Sequence, residues 1–551
     1  QFSLAPDPRE WGAALHMNVK EPDDDLHNPD PSRDLNIDSG GTYFTARGIA
    51  NLGCLLILVL GIVTLFNPGY PLISHFNKKP ASTLGGFNLG GINATGQLPS
   101  IPGNWGLIDL DTPQDAYTKS SYQNPGDQWD LVFSDEFNVD GRTFYPGDDP
   151  YWEAPDMHYW GTNDLEWYDP SAATTKGGYL RLTLSKVDPV NNHNLSYRSG
   201  MIQTWNKFCF TGGLIEANVI LPGVNNVAGL WPAIWTMGNL GRAGFGASLE
   251  GMWPYSYDSC DVGTLPNQTY PGEQKPLAAV TNGDPQANNM LSYLPGQRLS
   301  SCTCPGESHP GPVHANGSYV GRSAPEIDIF EATIDGGMGK ACLFRSFEIA
   351  VSQSAQWAPF NAAYAWKNTT DNLKIYNDTT VLNGYHGGAF QQTTSGLSPT
   401  DQNCYEKGGG CASLYAFEYK PGFDDAYITW VTADKPVWTL MAAGMGPDPL
   451  SEINQRPIPQ EPMYIIANLG FSPNFGAIDY DALQFPTSML VDYIRVYQPK
   501  DAHNIGCDPT DFPTRAYIET YLEAYTNPNL TSWKDDYKQP VPKNSLNGGC
   551  S

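Results

Sequence analysis

An all-β body, with strands paired antiparallel in a sandwich or barrel, is predicted by three features of the sequence. Short alternating or β-branched runs bounded by Gly, Pro, Asn or Asp recur from "WDLVFSDEF" through "GYLRLTLSK", "SGMIQTW", "GGLIEANVIL", "EIDIFEA", "AYITWVTA", "VWTLMAA", "MYIIANLG" and "MLVDYIRVY". No long amphipathic helix interrupts them, and strands without interspersed helices build antiparallel architectures. The 56 Gly and 46 Pro are spread over 551 residues and suit many turns and long loops. The 15 Trp, 30 Tyr and 22 Phe, set against 16% charged residues, leave aromatic surface to spare. A formal charge of -27 argues against nucleic acid as a partner, because phosphates would be repelled. It suits a secreted protein with a neutral ligand.

Five segments follow in order. Residues 1–47 are acidic and Pro-rich ("EPDDDLHNPDPSRD"), with too few apolar residues for a core, and read as a disordered tail. Residues 48–66, "GIANLGCLLILVLGIVTLF", form an uncharged run long enough to cross a hydrocarbon layer of roughly 30 Å as a helix. A transmembrane signal anchor is the expectation, since no clear cleavage site follows the run. Residues 67–128 read as a Gly-, Pro- and Asn-rich stalk. The strand-rich body covers 129–498 and carries a turn-rich insertion at 245–322 with three cysteines, expected to be an ordered loop near the site. Residues 499–551 form a polar extension with one short helical stretch, "TRAYIETYLEAYTN".

Charge does not orient the span, because Arg47 flanks one side and Lys78 and Lys79 the other. Two one-sided distributions do. All seven Asn-x-Ser/Thr acceptors (Asn93, Asn194, Asn267, Asn316, Asn368, Asn377 and Asn529) follow the span, as do nine of ten cysteines. A single-pass type II arrangement with a lumenal body in the secretory pathway or outside the plasma membrane is expected. Cys54 sits in the span, and nine lumenal cysteines leave at least one without an intrachain partner, for which Cys209 is the candidate. Cys302 or Cys304 with Cys260, Cys404 with Cys411, and Cys507 with Cys550 are the expected bridges. No His/Cys set at zinc spacing accompanies Cys302-Thr-Cys304, so neither metal nor cofactor is expected.

The chemistry concentrates in "APEIDIFEA", residues 324–332. On a regular strand Glu326 and Asp328 share one face, while Glu331 falls on the other. One extra residue after Asp328, a β-bulge, returns Glu331 to the face of Glu326 and Asp328. Without it, Glu331 would enter the core as an unpaired carboxylate, which is costly. Two Glu on one face with an Asp between them fit retaining glycoside chemistry: one attacks the anomeric carbon and the other protonates the leaving oxygen across roughly 5 Å. The middle Asp modulates its neighbours. The bland alternative is a solvated acidic strand face. "GLWPAIW" and "GMWPYSYD" supply flat apolar surfaces on which sugar rings stack, although core packing is an equal reading for Trp231. No G-x-S-x-G, H-E-x-x-H or G-x-x-x-x-G-K-[ST] occurs, which disfavours triad hydrolases, zincins and P-loop enzymes. His386, in "GYHGG", is a candidate cleft residue, with an ordinary surface loop as its simpler reading.

The motifs "LVFSDEF", "NDLEWY", "GYLRLTLSK", "SGMIQTWNKFCFTGGLIEANVILP", "GLWPAIW", "PEIDIFEA" and "MLVDYIRVYQ" resemble, in order and over residues 129–498, glycoside hydrolase family 16, the laminarinase-like β-glucanases. With "NLGRAGFGASLEGMWPYSYDSCDVGTLPNQT", the Cys-rich insertion and the anchor, the chain resembles more narrowly the fungal β-glucan-synthesis-associated type II membrane proteins. The resemblance implies a concanavalin-like β-jelly-roll sandwich with a glucan cleft and a role in building cell-wall β-1,6-glucan. It implies Glu326 as nucleophile, Asp328 as assisting acid and Glu331 as general acid/base, with Trp231 and Trp235 at the cleft. The insertion departs from ordinary laminarinases and bears on cleft shape and substrate preference. Two functions are carried forward: a membrane-anchored retaining β-glucan hydrolase or transglycosylase, and a non-catalytic glucan-binding assembly factor on the same fold. A secreted digestive laminarinase is disfavoured by the anchor. Oligomeric state is left open.

Overall fold

A computed structural model describes residues 46–64, 106–334 and 350–550. The chain divides into two units, residues 1–79 and 80–551. In the first, the described residues form one 19-residue helix, Ala46–Thr64. Leu55, Ile57, Leu60 and their apolar neighbours on it are exposed. Side chains there are described only for residues 49, 50 and 52–64, and among described residues no helix is long and apolar enough to cross a membrane. The structure therefore does not show the span expected over 48–66, of which residues 65 and 66 lie outside the described residues.

Alternation of apolar and polar residues along short runs produces, in the second unit, two sheets that face each other. The larger, of 13 strands, has Thr487–Pro499 between Gly213–Ile220 and Leu180–Lys186 and continues through Ser413–Lys420, Tyr427–Thr432 and Lys435–Met441. The smaller, of eight, runs Val381–Leu382, Gln391–Pro399, Ala350–Trp357, Glu326–Thr333, Trp231–Gly238, Met463–Gly470, Met201–Gln203. Neighbours far apart in sequence mark crossovers between the sheets, as sandwich topologies require. Ile327, Ile329, Phe330 and Ile465 of one sheet meet Ile215, Phe417, Trp430 and Val496 of the other in one buried cluster. The antiparallel sandwich expected from the strand pattern is present.

The outer face of the smaller sheet is partly roofed. Residues 245–322 build a small core around Tyr255, Val262 and Leu291 together with Ala358, Phe360, Tyr364 and Ile453. The C-terminal segment places Tyr517, Ile518, Tyr525 and Trp533 with Met237, Tyr464 and Ile466 of the sheet. Two short helices, Arg515–Thr520 and Leu522–Thr526, form where one helical stretch was expected.

Several sequence expectations are corrected. Cys209 is not free: it is fully buried and bonded to Cys507. Cys550 pairs with Cys304 rather than Cys507, because the C-terminal segment folds back along the insertion, where Thr303 also bridges Asn544. Cys260–Cys302 and Cys404–Cys411 form as expected. Cys342 lies outside the described residues. Of the stalk expected over 67–128, residues 67–105 lie outside the described residues, and residues 107–128 belong to the sandwich instead: Leu107 O accepts from Ser134 N (2.9 Å), Thr118–Ser120 pairs with Gln128–Asp135, and Ser121 donates to Glu418 at 2.8 Å. Of the glycan acceptors, Asn194, Asn267, Asn316, Asn368, Asn377 and Asn529 are exposed, and Asn93 lies outside the described residues.

Candidate active site

The acidic strand, Glu326–Thr333, carries the bulge that its spacing demands. Against one neighbour, Trp235 faces Asp328 and Ile234 faces Phe330, so Ile329 is the extra residue. Against the other, Ile327 faces Ala355 and Glu331 faces Ser352, the same slip. A bulge strips ladder partners from backbone carbonyls, and buried carbonyls must be satisfied. Trp430 donates its indole N–H to the carbonyl of Asp328 (2.8 Å) from across the core. Gln353 donates its amide to the carbonyl of Ile329 (2.9 Å).

All three carboxylates therefore share the outer face, as predicted. Glu326 and Glu331 are half-buried and reach solvent, whereas Asp328 is buried between them. Each has its own donors. Trp253 Nε1 donates to Glu326 Oε2 (2.5 Å). Ser354 Oγ (2.6 Å) and Gln356 Nε2 (3.1 Å) donate to Asp328 Oδ2. Trp231 Nε1 donates to Glu331 Oε1 (3.0 Å), with a longer contact from Ser354 Oγ to Oε2 (3.5 Å).

Crowding sets the protonation. Burial, then the charges of Asp328 and Glu331, push Glu326 well above the usual carboxylate range, with Trp253 opposing. Burial raises Asp328 to about 6 against donation from Ser354 and Gln356. Burial and then the charge of Asp328 push Glu331 up to about 8, against Trp231 and Ser354. Three such groups cannot all ionise near neutrality, so the cluster holds at least one proton. A site with both a protonated and an ionised carboxyl is equipped for paired acid and nucleophile work.

The aromatic candidates separate. Trp231 stacks on Phe475 (centroids 4.2 Å apart, planes 2° apart) while holding Glu331, so it orients a carboxylate. Trp235 lies on the same face beside Asp328 but is only 8% exposed, its indole N–H bound to Asn468 Oδ1 at 2.8 Å; it forms floor, not platform. His386 is exposed on a neighbouring loop and meets the sheet through its backbone carbonyl, which accepts from Thr393 N (2.8 Å). Its ring makes no hydrogen bond or ion pair to the carboxylates among the described residues. Trp253 was visible in the sequence as an aromatic in the insertion, but its contact with Glu326, 73 residues away, had no local signal.

A family model described as "Beta-glucan synthesis-associated protein SKN1/KRE6/Sbg1" matches residues 13–550. The chain belongs to that family. "Beta-glucan synthesis-associated protein KRE6" of Saccharomyces cerevisiae is 43% identical, over 98% of this chain and 70% of that protein. "Beta-glucan synthesis-associated protein SKN1" of Candida albicans is 42% identical, over 97% and 67%. Among solved structures, the catalytic domain of an endo-1,3-beta-glucanase (laminarinase) from Thermotoga petrophila aligns over 68% of this chain and 99% of its own, with 19% identity and a TM-score of 0.36. For this family member, the insertion that roofs the sheet is part of the site, since it supplies Trp253.

Proposed function

We propose that this family member is a retaining β-glucan hydrolase or transglycosylase that works in cell-wall β-1,6-glucan construction. The observation that carries the reading is a pair of solvent-reaching glutamates flanking a buried aspartate on one bulged strand, each with a dedicated donor. The relatives' association with β-glucan synthesis supports a β-glucan as substrate. In the first step a Glu326 oxygen bonds to the anomeric carbon as the glycosidic C–O bond breaks, and the Glu331 proton passes to the departing sugar oxygen. In the second, an incoming hydroxyl gives its proton to Glu331, its oxygen bonds to the anomeric carbon, and Glu326 leaves as carboxylate. Water as the incoming hydroxyl gives hydrolysis; a sugar hydroxyl gives transfer.

The setting we propose is a type II membrane anchor at residues 48–66, in the secretory pathway or plasma membrane, with the body lumenal or extracellular. The uncharged run and six exposed sequons support it. The test is incubation of the full chain with defined β-1,3 and β-1,6 gluco-oligosaccharides, with products resolved by mass. Shorter products report hydrolysis and longer ones transfer. Glu326→Gln and Glu331→Gln should each reduce product formation by about 10²–10⁴-fold. Product formation undiminished in both variants would sink the catalytic reading; glucan binding with normal wall assembly by the double variant would favour the assembly factor. The full chain should fractionate with membranes and lose apparent mass on endoglycosidase treatment; a soluble, unshifted chain would remove the anchored, lumenal setting.

A further inference from the structure

Trp231 opens the strand Trp231–Gly238 and is only half-buried, so the ladder fixes its backbone but not its ring, whose N–H sits on Glu331 Oε1 (3.0 Å). The ring is fixed from outside the strand. Trp231 pairs with Gly470, the last residue of Met463–Gly470, and the chain that follows turns back to lay the Phe475 ring on the indole, 4.2 Å away and 2° from parallel. Phe475 is itself half-buried, so its hold on Trp231 is as firm as its own loop.

That loop is tied to a distant stretch, residues 162–166. Ser472 O accepts from Phe475 N (3.3 Å), while Ser472 Oγ accepts from Asn474 N (3.1 Å) and donates to Thr162 O (2.5 Å). Leu165 N donates to Phe471 O (2.8 Å), and Phe471 N donates to Glu166 Oε1 (3.1 Å). Glu166 is fully buried and forms no ion pair among the described residues; its neighbour is a second buried carboxyl, Asp164. Burial, then the charge of Asp164, pushes Glu166 well above the usual carboxylate range, and burial raises Asp164 to about 6 against donation from Thr162. The other titratable groups at the pair are His158, with Nε2 2.7 Å from Asp164 O, Tyr168, whose hydroxyl donates to Asp164 Oδ2 (3.4 Å), and Tyr159, which feels the Asp164 charge. Two such carboxyls in contact share a proton. Glu166 carries it toward Asp164 and keeps Oε1 for the loop, which accounts for an Oε2 that meets no donor.

We propose that Phe475, on a loop anchored by Glu166, is a positioning residue for the proton donor: it stacks the Trp231 indole so that the indole N–H holds the Glu331 carboxyl in place. Neither Phe475 nor Glu166 bonds to a carboxyl of the acidic strand; both act through Trp231. This assignment rests on the retaining-glycosidase reading above, in which Glu331 gives up a proton to the departing oxygen. A hydrogen bond donated to a carboxyl favours its ionised form, so an indole that swings away leaves Glu331 holding its proton to higher pH. The basic limb of the pH–rate profile, where the proton donor ionises, then rises.

The test measures kcat, KM and the pH–rate profile of the full chain on a defined β-gluco-oligosaccharide. Phe475→Leu keeps apolar bulk but offers no ring face: kcat should fall about tenfold with KM little changed, and the basic limb should rise by about one pH unit. Phe475→Tyr should restore both. Glu166→Leu should match Phe475→Leu, whereas Glu166→Gln, which keeps an oxygen for Phe471 N and a donor for Asp164, should behave as the parent. Misfolding of Glu166→Leu leaves the two Phe475 variants to decide, since that residue is half-exposed. A second arm needs no turnover: 5-fluorotryptophan at position 231 is followed by fluorine NMR against pH. The parent should show a step near pH 8 that Glu331→Gln removes and Phe475→Leu diminishes. If the parent chain makes no products at all, the catalytic reading fails and the fluorine arm alone decides the positioning role. A basic limb that stays put in Phe475→Leu, or a fluorine step unchanged by it, overturns the proposal.

Discussion

A single indole donor decides whether Glu326 can serve as a nucleophile. Burial and two neighbouring carboxyls drive its proton affinity up, and Trp253 Nε1 is its stabilising contact from outside the cluster. A hydrogen bond donated to a carboxylate favours the charged form, so removing the donor raises the pKa further. Trp253→Phe keeps the ring and loses the N–H. The acid limb of the pH–rate profile, which reports ionisation of the nucleophile, should move to higher pH by about one unit, matching a charge-assisted hydrogen bond of about 1.5 kcal/mol. Activity falls on the acid side of the optimum and recovers as pH rises past the new limb. An unmoved acid limb with equal loss at every pH would assign Trp253 a packing role instead.

The acidic strand shows what a sequence reveals about an element and what it hides. Glu326, Asp328 and Glu331 could be assigned one face, and a bulge after Asp328, because alternation is a local rule and an unpaired carboxylate in the core is expensive. The braces that hold the bulge were illegible. Gln353 and Trp430 lie 24 and 102 residues from the carbonyls they satisfy, and nothing near either marks that duty. Gln353 is fully buried and also bonds Val431 O (3.0 Å) and Thr432 Oγ1 (2.9 Å), so it meets three polar groups at once. Gln353→Leu fills the same space and leaves those groups unpaired, at a cost of about 2–3 kcal/mol. The expected readings are a lower denaturant midpoint and, because the bulge aims Glu331, a lower kcat with little change in KM. A variant as stable and as fast as the parent would show that the bulge needs no such brace.

The whole body is closed by a segment whose sequence reads as a polar appendage. Residues 499–551 have little strand or helix periodicity, and their partners are spread over the insertion and the sheet edge, so local pattern could not place them. Arg322, fully buried at the end of the insertion, forms a bidentate pair with Glu461 (2.8 Å on both arms) and donates to Pro513 O (2.8 Å), joining insertion, sheet and C-terminal segment at one point. Arg298 lies over the Trp533 ring, 3.8 Å from its centroid, and Trp533 N donates to Glu250 Oε2. Cys209–Cys507 and Cys304–Cys550 then lock segments 298 and 246 residues apart. Linking such distant residues removes conformational freedom from the unfolded chain, and removing a bridge typically costs about 2–4 kcal/mol. Cys304→Ser/Cys550→Ser should therefore lower the unfolding midpoint under oxidising conditions. Since the same insertion carries Trp253, the variant should lose glucan conversion at a lower temperature than the parent. An unchanged midpoint would mean that the ion pair and the aromatic cluster suffice to hold the C-terminal segment against the insertion.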